Sequence, residues 1–443
     1  MSAQPGLSGS PDADETTAPP LDEQAVQVLR EDFPALLEIV AGGPLIYLDS
    51  SATAQRPSIV LDAERNFLEH RNAAVHRGAH ELAALATEAF EDARAVVAEF
   101  VGARPSEIVW TSNATDALNL VAYGIANASR GRGGETARRL ALLPGDEILV
   151  AEDAHHSNLV PWQELAIQTG ATLRVIAVDS LGGYDLAAVR QAFTAKTRVV
   201  AITHVSNVTG FIAPVADIVA LAHSGNAVVV LDACQSAPHR SLNLALLGVD
   251  FAAFSGHKML GPTGIGVLYG RDAMLNALPP FRTGGSMIST VTMTEASYLP
   301  PPQRFEAGTQ PVSQAIALAE AVRYLEGVGM QRIEAREQEL AQRLVIGLAE
   351  IPGIRIVGPE VGIMRSGLAS FDVAGVHAHD VGQYLDAHAI AVRVGHHCAQ
   401  PLHRRLGLAA TTRASTYLYT THGEIDRFLE AVAGVRSYFG VAR

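Results

Sequence analysis

From about Leu45 to Gly270 the chain alternates short β-forming runs with stretches of helical pattern. The candidate strands are EIVWTS, DEILVAE, TLRVIAVD, TRVVAITHVS, AVVVLDAC, FAAFSG and GIGVLYG. Most are nearly continuous apolar runs, which is typical of strands that are covered on both faces. Strands that alternate with helices in this way predict a mostly parallel sheet wrapped by helices.

The pattern changes after the proline-rich stretch YLPPPQ. Two long amphipathic helices, SQAIALAEAVRYLEGVG and RIEAREQELAQRLVIGLAEIPG, come first. Short strands in RIVGPE, GLASFDVAG and IAVRVG follow, before a last helix in THGEIDRFLEAVAGVRSYF. This order predicts a large domain over 45–304 and a small α+β domain over 305–443, with residues 25–44 packing on the small one.

Charge and composition exclude several classes of partner. The chain has 443 residues and a net charge of −13, which does not suit nucleic acid or an anionic membrane. No apolar run is long enough to span a membrane. Residues 1–24 are polar, acidic and proline-rich and lack the apolar core of a signal peptide, so they predict a disordered tail and a cytoplasmic protein. The Gly- and Arg-rich stretch 128–143 predicts an exposed insertion.

Polar side chains collect where the apolar runs end. They are Asp232 and Gln235 after VVVLD, His204, Ser206 and Asn207 after AIT, His155 and His156 after ILVAE, and Ser255, His257 and Lys258 in FSGHK. In parallel sheets ligands bind beyond the carboxyl ends of the strands, so we expect these groups to converge. The run SNATDA starts a helix at Asn113, Ala114 and Thr115, and the free N–H groups of a helix start suit a phosphate.

A lysine amine, a strand-end carboxylate and a phosphate-binding helix start together indicate pyridoxal 5′-phosphate (PLP). Lys258 would form a Schiff base with the cofactor, and Asp232 would keep the pyridine nitrogen protonated. Taken singly, each group has an ordinary structural reading: a loop-edge lysine, a strand-capping Asp, a helix cap. Their occurrence in the expected order favours the cofactor.

The second chemical motif is VRVGHHCAQPL, which contains Cys398. Nearby histidines lower a thiol's pKa toward the reactive thiolate, so we interpret Cys398 as a mobile nucleophile. A buried structural cysteine is the alternative. A zinc site from His396, His397, Cys398 and His403 is another, but adjacent residues point apart and rarely bind one ion, so we expect no metal. The other cysteine, Cys234, lies in a predicted central strand and is expected to be packed.

These motifs resemble those of the cysteine desulfurases in the class V aminotransferase family, and most closely the sulfur-mobilisation (SUF) branch that supplies iron–sulfur cluster assembly. The resemblance runs from about Leu45 to the C-terminus. Its motifs are YLDSSATAQRPS, AAVHRGAHELA, HHSNLVPWQ, ITHVSNVTG, LDACQS, FSGHKMLGPTGIG, GGSMI, RFEAGTQ, AVRVGHHCAQP and TTRAS. The resemblance implies a PLP-dependent transferase of fold type I (aminotransferase-like) that forms a homodimer.

The resemblance also implies a role for each matching residue. Lys258, Cys398 and His155 would be catalytic: the lysine as Schiff base and proton shuttle, the cysteine as acceptor of sulfur from L-cysteine, and the histidine stacked on the pyridine ring. Asp232 and Gln235 would bind the ring nitrogen and phenolic oxygen. The phosphate would be held by Ala114, Thr115, Ser255 and His257, with Gly285 and Thr309 contributed across the dimer. The substrate would be bound by Asn207, Arg413, Arg393 and Ala52, with His76 and Arg77 at the entrance.

Three alternatives stay open from the sequence. A class V aminotransferase would use the same lysine, aspartate and arginine but has no use for a thiol in the HHC loop. A selenocysteine lyase could release selenium without a cysteine nucleophile. A catalytically silent scaffold would not need Lys258, Asp232, Cys398 and Arg413 together.

Delivery of the sulfur would need an acceptor protein. By the same resemblance, His379 occupies the position at which relatives that use a zinc-containing, scaffold-like SUF acceptor carry a histidine that exchanges with a zinc ligand. A solvated histidine at a helix start is the alternative reading.

Overall fold

The computed structural model describes residues 19–441, and its main feature is a seven-stranded sheet. The strands are β1 (Ile108–Thr111), β2 (Glu147–Ala151), β3 (Thr172–Ile176), β4 (Thr197–Thr203), β5 (Val228–Asp232), β6 (Phe251–Ser255) and β7 (Gly266–Gly270). Their spatial order is β1-β7-β6-β5-β4-β2-β3, and β7 alone runs antiparallel to its neighbours. All seven predicted strands are present, so the predicted mostly parallel sheet is confirmed.

Apolar layers cover both faces of this sheet. In β5, Val229 and Leu231 belong to one buried cluster, while Val228 and Val230 belong to another on the opposite face. Successive side chains of a strand point to opposite faces, so a continuous apolar run is what a doubly covered strand requires. The edge strand β3 differs, because only Ile176 among its five residues is fully buried.

Fifteen helices occur in the part of the chain that the structure describes. They are Glu23–Arg30, Ser58–His70, Glu81–Phe100, Ala114–Ser129, Gly134–Ala137, Val160–Thr169, Leu186–Ala192, Val215–Ser224, Leu244–Leu247, Asp272–Ala277, Val312–Val328, Met330–Glu350, Ala378–Asp386, Gln400–Arg405 and His422–Tyr438. Both long helices predicted after YLPPPQ and the last helix are confirmed within a few residues.

A second sheet has four antiparallel strands: β8 (Ile354–Val357), β9 (Leu368–Val373), β10 (Arg393–Gly395) and β11 (Thr411–Ser415), in the order β8-β9-β11-β10. The Met330–Glu350 and His422–Tyr438 helices contribute Leu344 and Phe428 to its core. We did not predict β11, whose sequence TTRAS is largely polar, although all five residues are buried.

Three short two-stranded pairs complete the strands. Ile39–Val40 pairs with Gly43–Pro44, Ile46–Tyr47 with Ile390–Ala391, and Ile288–Val291 with Ala296–Tyr298. The Ile46–Tyr47 strand lies inside the range predicted for the large domain, yet Ile46 and Leu48 are buried in the core of the second sheet. The domain bounds as a whole stay a prediction.

The N-terminal segment is ordered earlier than the sequence predicts. Asp22 caps the helix that begins at Glu23, and Leu21 is buried, so the end of the predicted tail 1–24 has a fixed structure. Burial of apolar side chains offsets the entropy cost of ordering these residues. Arg30 of this helix pairs with Glu424 at 2.9 Å. Residues 1–18 of the predicted tail lie outside the described residues.

The predicted insertion at 128–143 is only partly exposed. Its charged residues face solvent, as expected, but it starts within the Ala114–Ser129 helix and forms the short Gly134–Ala137 helix. Ala137, Leu140 and Leu142 are buried in the apolar cluster on one face of the sheet. The segment therefore contributes to the core, because these three apolar side chains are buried although most of its sequence is polar. Across residues 19–441, none of the helices combines the length and apolar character that crossing a bilayer requires.

A buried ion pair connects the Glu81–Phe100 helix to the segment that follows the seven-stranded sheet. Arg94 donates to both carboxylate oxygens of Glu306, at 2.6 and 2.9 Å, and their side chains are 1% and 3% exposed. Glu306 also accepts from the Trp110 backbone N–H at 2.8 Å. Breaking such a pair leaves a buried charge with incomplete compensation.

We therefore expect Glu306→Ala to lower the free energy of unfolding by about 3–5 kcal/mol. Glu320→Ala, which breaks the exposed Arg323–Glu320 pair, should cost no more than about 1 kcal/mol. Urea unfolding followed by circular dichroism measures both. Equal losses for the two variants would contradict the importance of the buried pair.

Candidate active site

Lys258 lies just beyond β6, on a single helical turn formed by Gly256–Lys258. The turn is packed so closely that a Cβ on Gly256 would lie 3.0 Å from the Ile265 side chain, and one on Gly261 would lie 2.8 Å from Leu318. Its backbone is fixed by the Gly256 N–H, which donates to Ile265 O at 3.0 Å. The small residues around Lys258 therefore serve to hold its amine in one place.

Lys258 lines a cavity of about 420 Å³ between the seven-stranded and four-stranded sheets. The predicted site residues that share this cavity are Ala52, Ala114, Thr115, His155, Asn207, Asp232, Gln235, Ser255, His257, Lys258, Arg393, Cys398 and Arg413. The two residues singled out in the sequence for their reactive groups, Lys258 and Cys398, thus line a common space.

The carboxyl ends of β2 and β5 supply groups on either side of the cavity. Asp232 ends β5, is 5% exposed, and accepts the Cys234 backbone N–H at 3.0 Å. His155 follows β2, and its Nδ1 accepts the Ser157 N–H at 3.1 Å. Burial, and then the charge of Lys258, lower the pKa of His155 to about 4. Its ring is therefore neutral at physiological pH.

The start of the Ala114–Ser129 helix forms another wall. The Ala114 N–H donates to Ser255 Oγ at 2.9 Å, and Thr115 Oγ1 lies 2.7 Å from Ser157 Oγ. Burial, with the Lys258 charge second, lowers the pKa of His257 to about 4. Hydroxyls and a helix N-terminus make this wall suited to an anion, and the Asp116 carboxylate in the first turn of the helix pairs with Arg282.

A buried arginine closes the opposite side. Arg413 of β11 donates to Asn207 O at 2.9 Å and to Asp49 Oδ1 at 3.2 Å. Burial lowers its pKa to about 10, so the guanidinium still carries its charge at neutral pH. Its Nε has no hydrogen-bond partner among residues 19–441. Arg393 lies 3.7 Å from the same Asp49 carboxylate.

Cys398 belongs to the nucleophile loop, residues 396–399, between β10 and the Gln400–Arg405 helix. His397 and Cys398 have φ angles of 49° and 57°. Left-handed backbone costs a non-glycine residue about 1–3 kcal/mol, so tertiary contacts must hold the loop. Asn207 Nδ2 donates to His397 O at 2.8 Å, and the His156 N–H donates to Cys398 O at 2.7 Å.

The histidine directly before Cys398, His397, contacts the second sheet. The His397 ring is buried against the second sheet, and its Nε2 lies 2.9 Å from Thr411 Oγ1. Burial lowers the pKa of His397 to about 2, so it adds no positive charge near the thiol. Among the described residues, no group of His, Cys, Asp or Glu has an arrangement that could hold a metal ion. Cys234 is buried, and burial raises the pKa of its thiol.

Five predicted residues lie outside this cavity. His76 pairs with Glu91 at 2.9 Å, and Arg77 donates to Ile288 O at 3.3 Å. Gly285 O accepts the Gly308 N–H at 3.0 Å, and Thr309 lines a neighbouring cavity of about 220 Å³. His379 is exposed in the first turn of the Ala378–Asp386 helix. Within one chain these residues do not reach Lys258, and their roles stay predictions.

Several residues that shape the site were missed in the sequence. Asp49, Ser157, Thr203 and His397 contact or line it. All four lie in the motifs of the sequence analysis, where His397 was weighed only as a zinc ligand and Asp49, Ser157 and Thr203 had no role. Asn207 was predicted to bind substrate, and the structure gives its amide a second task on the nucleophile loop.

The cavity fits PLP. Thr203 Oγ1, Asn207 Oδ1 and Gln235 Oε1 are buried at its edge and find no hydrogen-bond partner in the described chain. Buried polar atoms are almost always satisfied, so this set indicates a polar ligand. Gln235 Nε2 donates to Ser51 O at 2.8 Å, and its second N–H would suit an oxygen of the cofactor.

Comparison with known proteins agrees with this geometry. A family model described as Aminotransferase class-V matches residues 46–428. A Mycobacterium leprae protein described as probable cysteine desulfurase 2 is 53% identical over 95% of this chain and 98% of its own length.

Solved structures give the same result. The apo structure of a cysteine desulfurase from Thermococcus onnurineus is 38% identical, with a TM-score of 0.86 over 93% of this chain and 98% of that one. An Escherichia coli cysteine desulfurase in its S-sulfonic acid form is 36% identical, with a TM-score of 0.83 over 93% and 98%. The family match confirms the predicted cofactor, PLP, and the fold confirms fold type I. The chain therefore belongs to the class V aminotransferase family, within its group of PLP-dependent cysteine desulfurases.

Proposed function

We propose that this protein converts L-cysteine to L-alanine and takes the sulfur onto Cys398 as a persulfide. The observation that carries the proposal is the cavity that Lys258 and Cys398 share. Lys258 follows a strand of the seven-stranded sheet, and Cys398 follows a strand of the four-stranded sheet. An aminotransferase needs the first group but not the second. The names of the relatives support the same reaction.

Atoms and electrons balance without an external oxidant or reductant. The Cβ–S bond of cysteine breaks, and an S–S bond forms between that sulfur and the sulfur of Cys398. The proton that Cys398 releases is the third hydrogen of the alanine methyl group. PLP, when bound, supplies the electron sink that makes the Cβ–S bond labile. The thiol accepts sulfur that would otherwise leave as sulfide.

The chain's own residues bind and orient the substrate. Arg413 stays charged and fixed by Asn207 O and Asp49, so it can receive the substrate carboxylate with its remaining donors. Arg393 adds positive charge from the same side. With PLP bound, the Lys258 amine would move protons at the substrate's α-carbon.

Other residues hold the cofactor. The neutral ring of His155 is suited to stack on the pyridine, because a charged imidazole would oppose the protonated ring nitrogen. Asp232 can pair with that nitrogen from the end of β5. The phosphate would be held by Ala114, Thr115, Ser255 and His257, and Gly285 and Thr309 would reach it from a second copy in a homodimer.

The lysine assignment has a direct test, because the chain contains only two lysines, Lys196 and Lys258. We expect the purified protein to be yellow, and borohydride to fix the cofactor on the peptide that contains Lys258. Lys258→Ala should lose the fixed cofactor, while the matched Lys196→Ala should keep it. Peptide mass spectrometry measures both, and cofactor fixed on Lys196 would contradict the assignment.

The nucleophile assignment is tested with the two cysteines. Cys398→Ala should reduce alanine release from L-cysteine by about a hundredfold or more, because it removes the sulfur acceptor. Cys234→Ala should keep most of the activity, since that thiol is held protonated by burial. Selenocysteine should still react with Cys398→Ala, because selenium leaves without a nucleophile.

The same variants separate the alternatives. Wild-type alanine release by Cys398→Ala would contradict the nucleophile assignment. If selenocysteine were the better substrate of the unmodified protein, selenocysteine lyase would replace the proposal. Keto acid as the product in place of alanine would favour an aminotransferase.

We further propose that the persulfide passes to a zinc-containing, scaffold-like acceptor of SUF type, for iron–sulfur cluster assembly. His379 supports this because it is exposed at a helix start, where an imidazole can reach a partner's metal ion. His379→Ala should reduce stimulation by such an acceptor about tenfold and leave basal alanine release intact. His388→Ala, another exposed histidine of the same domain, is the control. Unchanged stimulation in His379→Ala would end this part of the proposal.

A further inference from the structure

One residue, His156, holds the chain at Cys398 and at Gln400, the residue that follows the nucleophile loop. Its backbone N–H donates to Cys398 O at 2.7 Å. Its imidazole Nε2 accepts the Gln400 N–H at 3.1 Å. A further contact comes from another residue: Asn207 Nδ2 donates to His397 O, which lies before the cysteine.

The loop needs such support because it contains two successive non-glycine residues in left-handed backbone, His397 and Cys398. Neither conformation is favourable for an L residue in isolation. The local Ala399 N–H to His396 O bond, at 2.9 Å, closes a turn but does not connect the loop to the rest of the cavity. The contacts of His156, together with the bond from Asn207 to His397 O, make that connection.

His156 is well placed to connect the loop with the cofactor side of the cavity. It follows His155 directly in the His156–Asn158 turn, whose Ser157 donates to the His155 ring and lies 2.7 Å from Thr115 Oγ1. The segment that positions the cofactor therefore also positions the cysteine. An imidazole can accept at Nε2 only when that nitrogen carries no proton, so the proton of the neutral ring must be on Nδ1.

We propose that His156 is a positioning residue whose backbone and imidazole hold the chain at Cys398 and at Gln400 so that the thiol faces the cavity. The proposal rests on the proposed function, in which Cys398 receives sulfur. Burial, with a smaller contribution from the charge of His396, lowers the pKa of His156 and so favours the neutral, accepting ring. His155 is the other histidine ring beside it, with centroids 6.4 Å apart.

The test compares His156→Leu, which removes the acceptor, with His156→Gln, whose side-chain oxygen restores it. In His156→Leu we expect amide hydrogen exchange at Gln400 to rise about tenfold, in the cofactor-free and the loaded protein alike. The kcat for alanine release should fall by a similar factor with KM nearly unchanged, because Arg413 is intact. His156→Gln should recover most of both. His388→Leu makes the same chemical change at an exposed site and is the control.

The outcomes separate this proposal from the proposed function. Wild-type exchange at Gln400 and a wild-type kcat in His156→Leu would overturn it, and so would a His156→Gln variant as impaired as His156→Leu. If the unmodified protein released no alanine from cysteine, the proposed function would fail. The exchange at Gln400 would still decide whether His156 holds the loop.

Discussion

The site depends on a buried positive charge at the junction of the two sheets. Arg413 lies in the middle of the four-stranded sheet, and its guanidinium reaches across to the backbone oxygen of Asn207 beyond β4 and to the carboxylate of Asp49. A guanidinium buried without such partners would cost several kcal/mol, so these contacts fix the junction as well as the charge. Asn207 in turn restrains the nucleophile loop, because its side-chain amide donates to His397 O.

Burial also sets the charge pattern around the cavity. It keeps His155, His257 and His397 neutral, because desolvation is the largest cause of the lowered pKa of each. Positive charge is then concentrated on Lys258, Arg413 and Arg393. A substrate carboxylate and a phosphate would therefore be drawn to defined places in the cavity, where the rings of His155 and His257 are neutral. The sequence suggested positively charged histidines beside Cys398, but burial keeps the His397 imidazole neutral.

Site residues that follow a local sequence pattern were predictable, while contacts between distant parts of the chain were not. Lys258, Asp232 and Thr115 follow from strand ends and a helix start, since the topology of a parallel sheet brings these positions together. The partnership of Asp49 with Arg413 spans 364 residues, and that of His156 with Gln400 spans 244. Such contacts depend on how one sheet sits against the other. The strand β11 was missed for a related reason. Its polar residues are buried at the junction of the two sheets, so the strand lacks the apolar run that would have predicted it.

The most direct measurement is a single turnover of the loaded protein with one equivalent of L-cysteine, followed by quantification of alanine and mass spectrometry of the thiol peptides. The account predicts one alanine for each added sulfur atom, and all of that sulfur on the peptide containing Cys398. Alanine formed without a sulfur adduct on Cys398, or sulfur found on Cys234 instead, would contradict it.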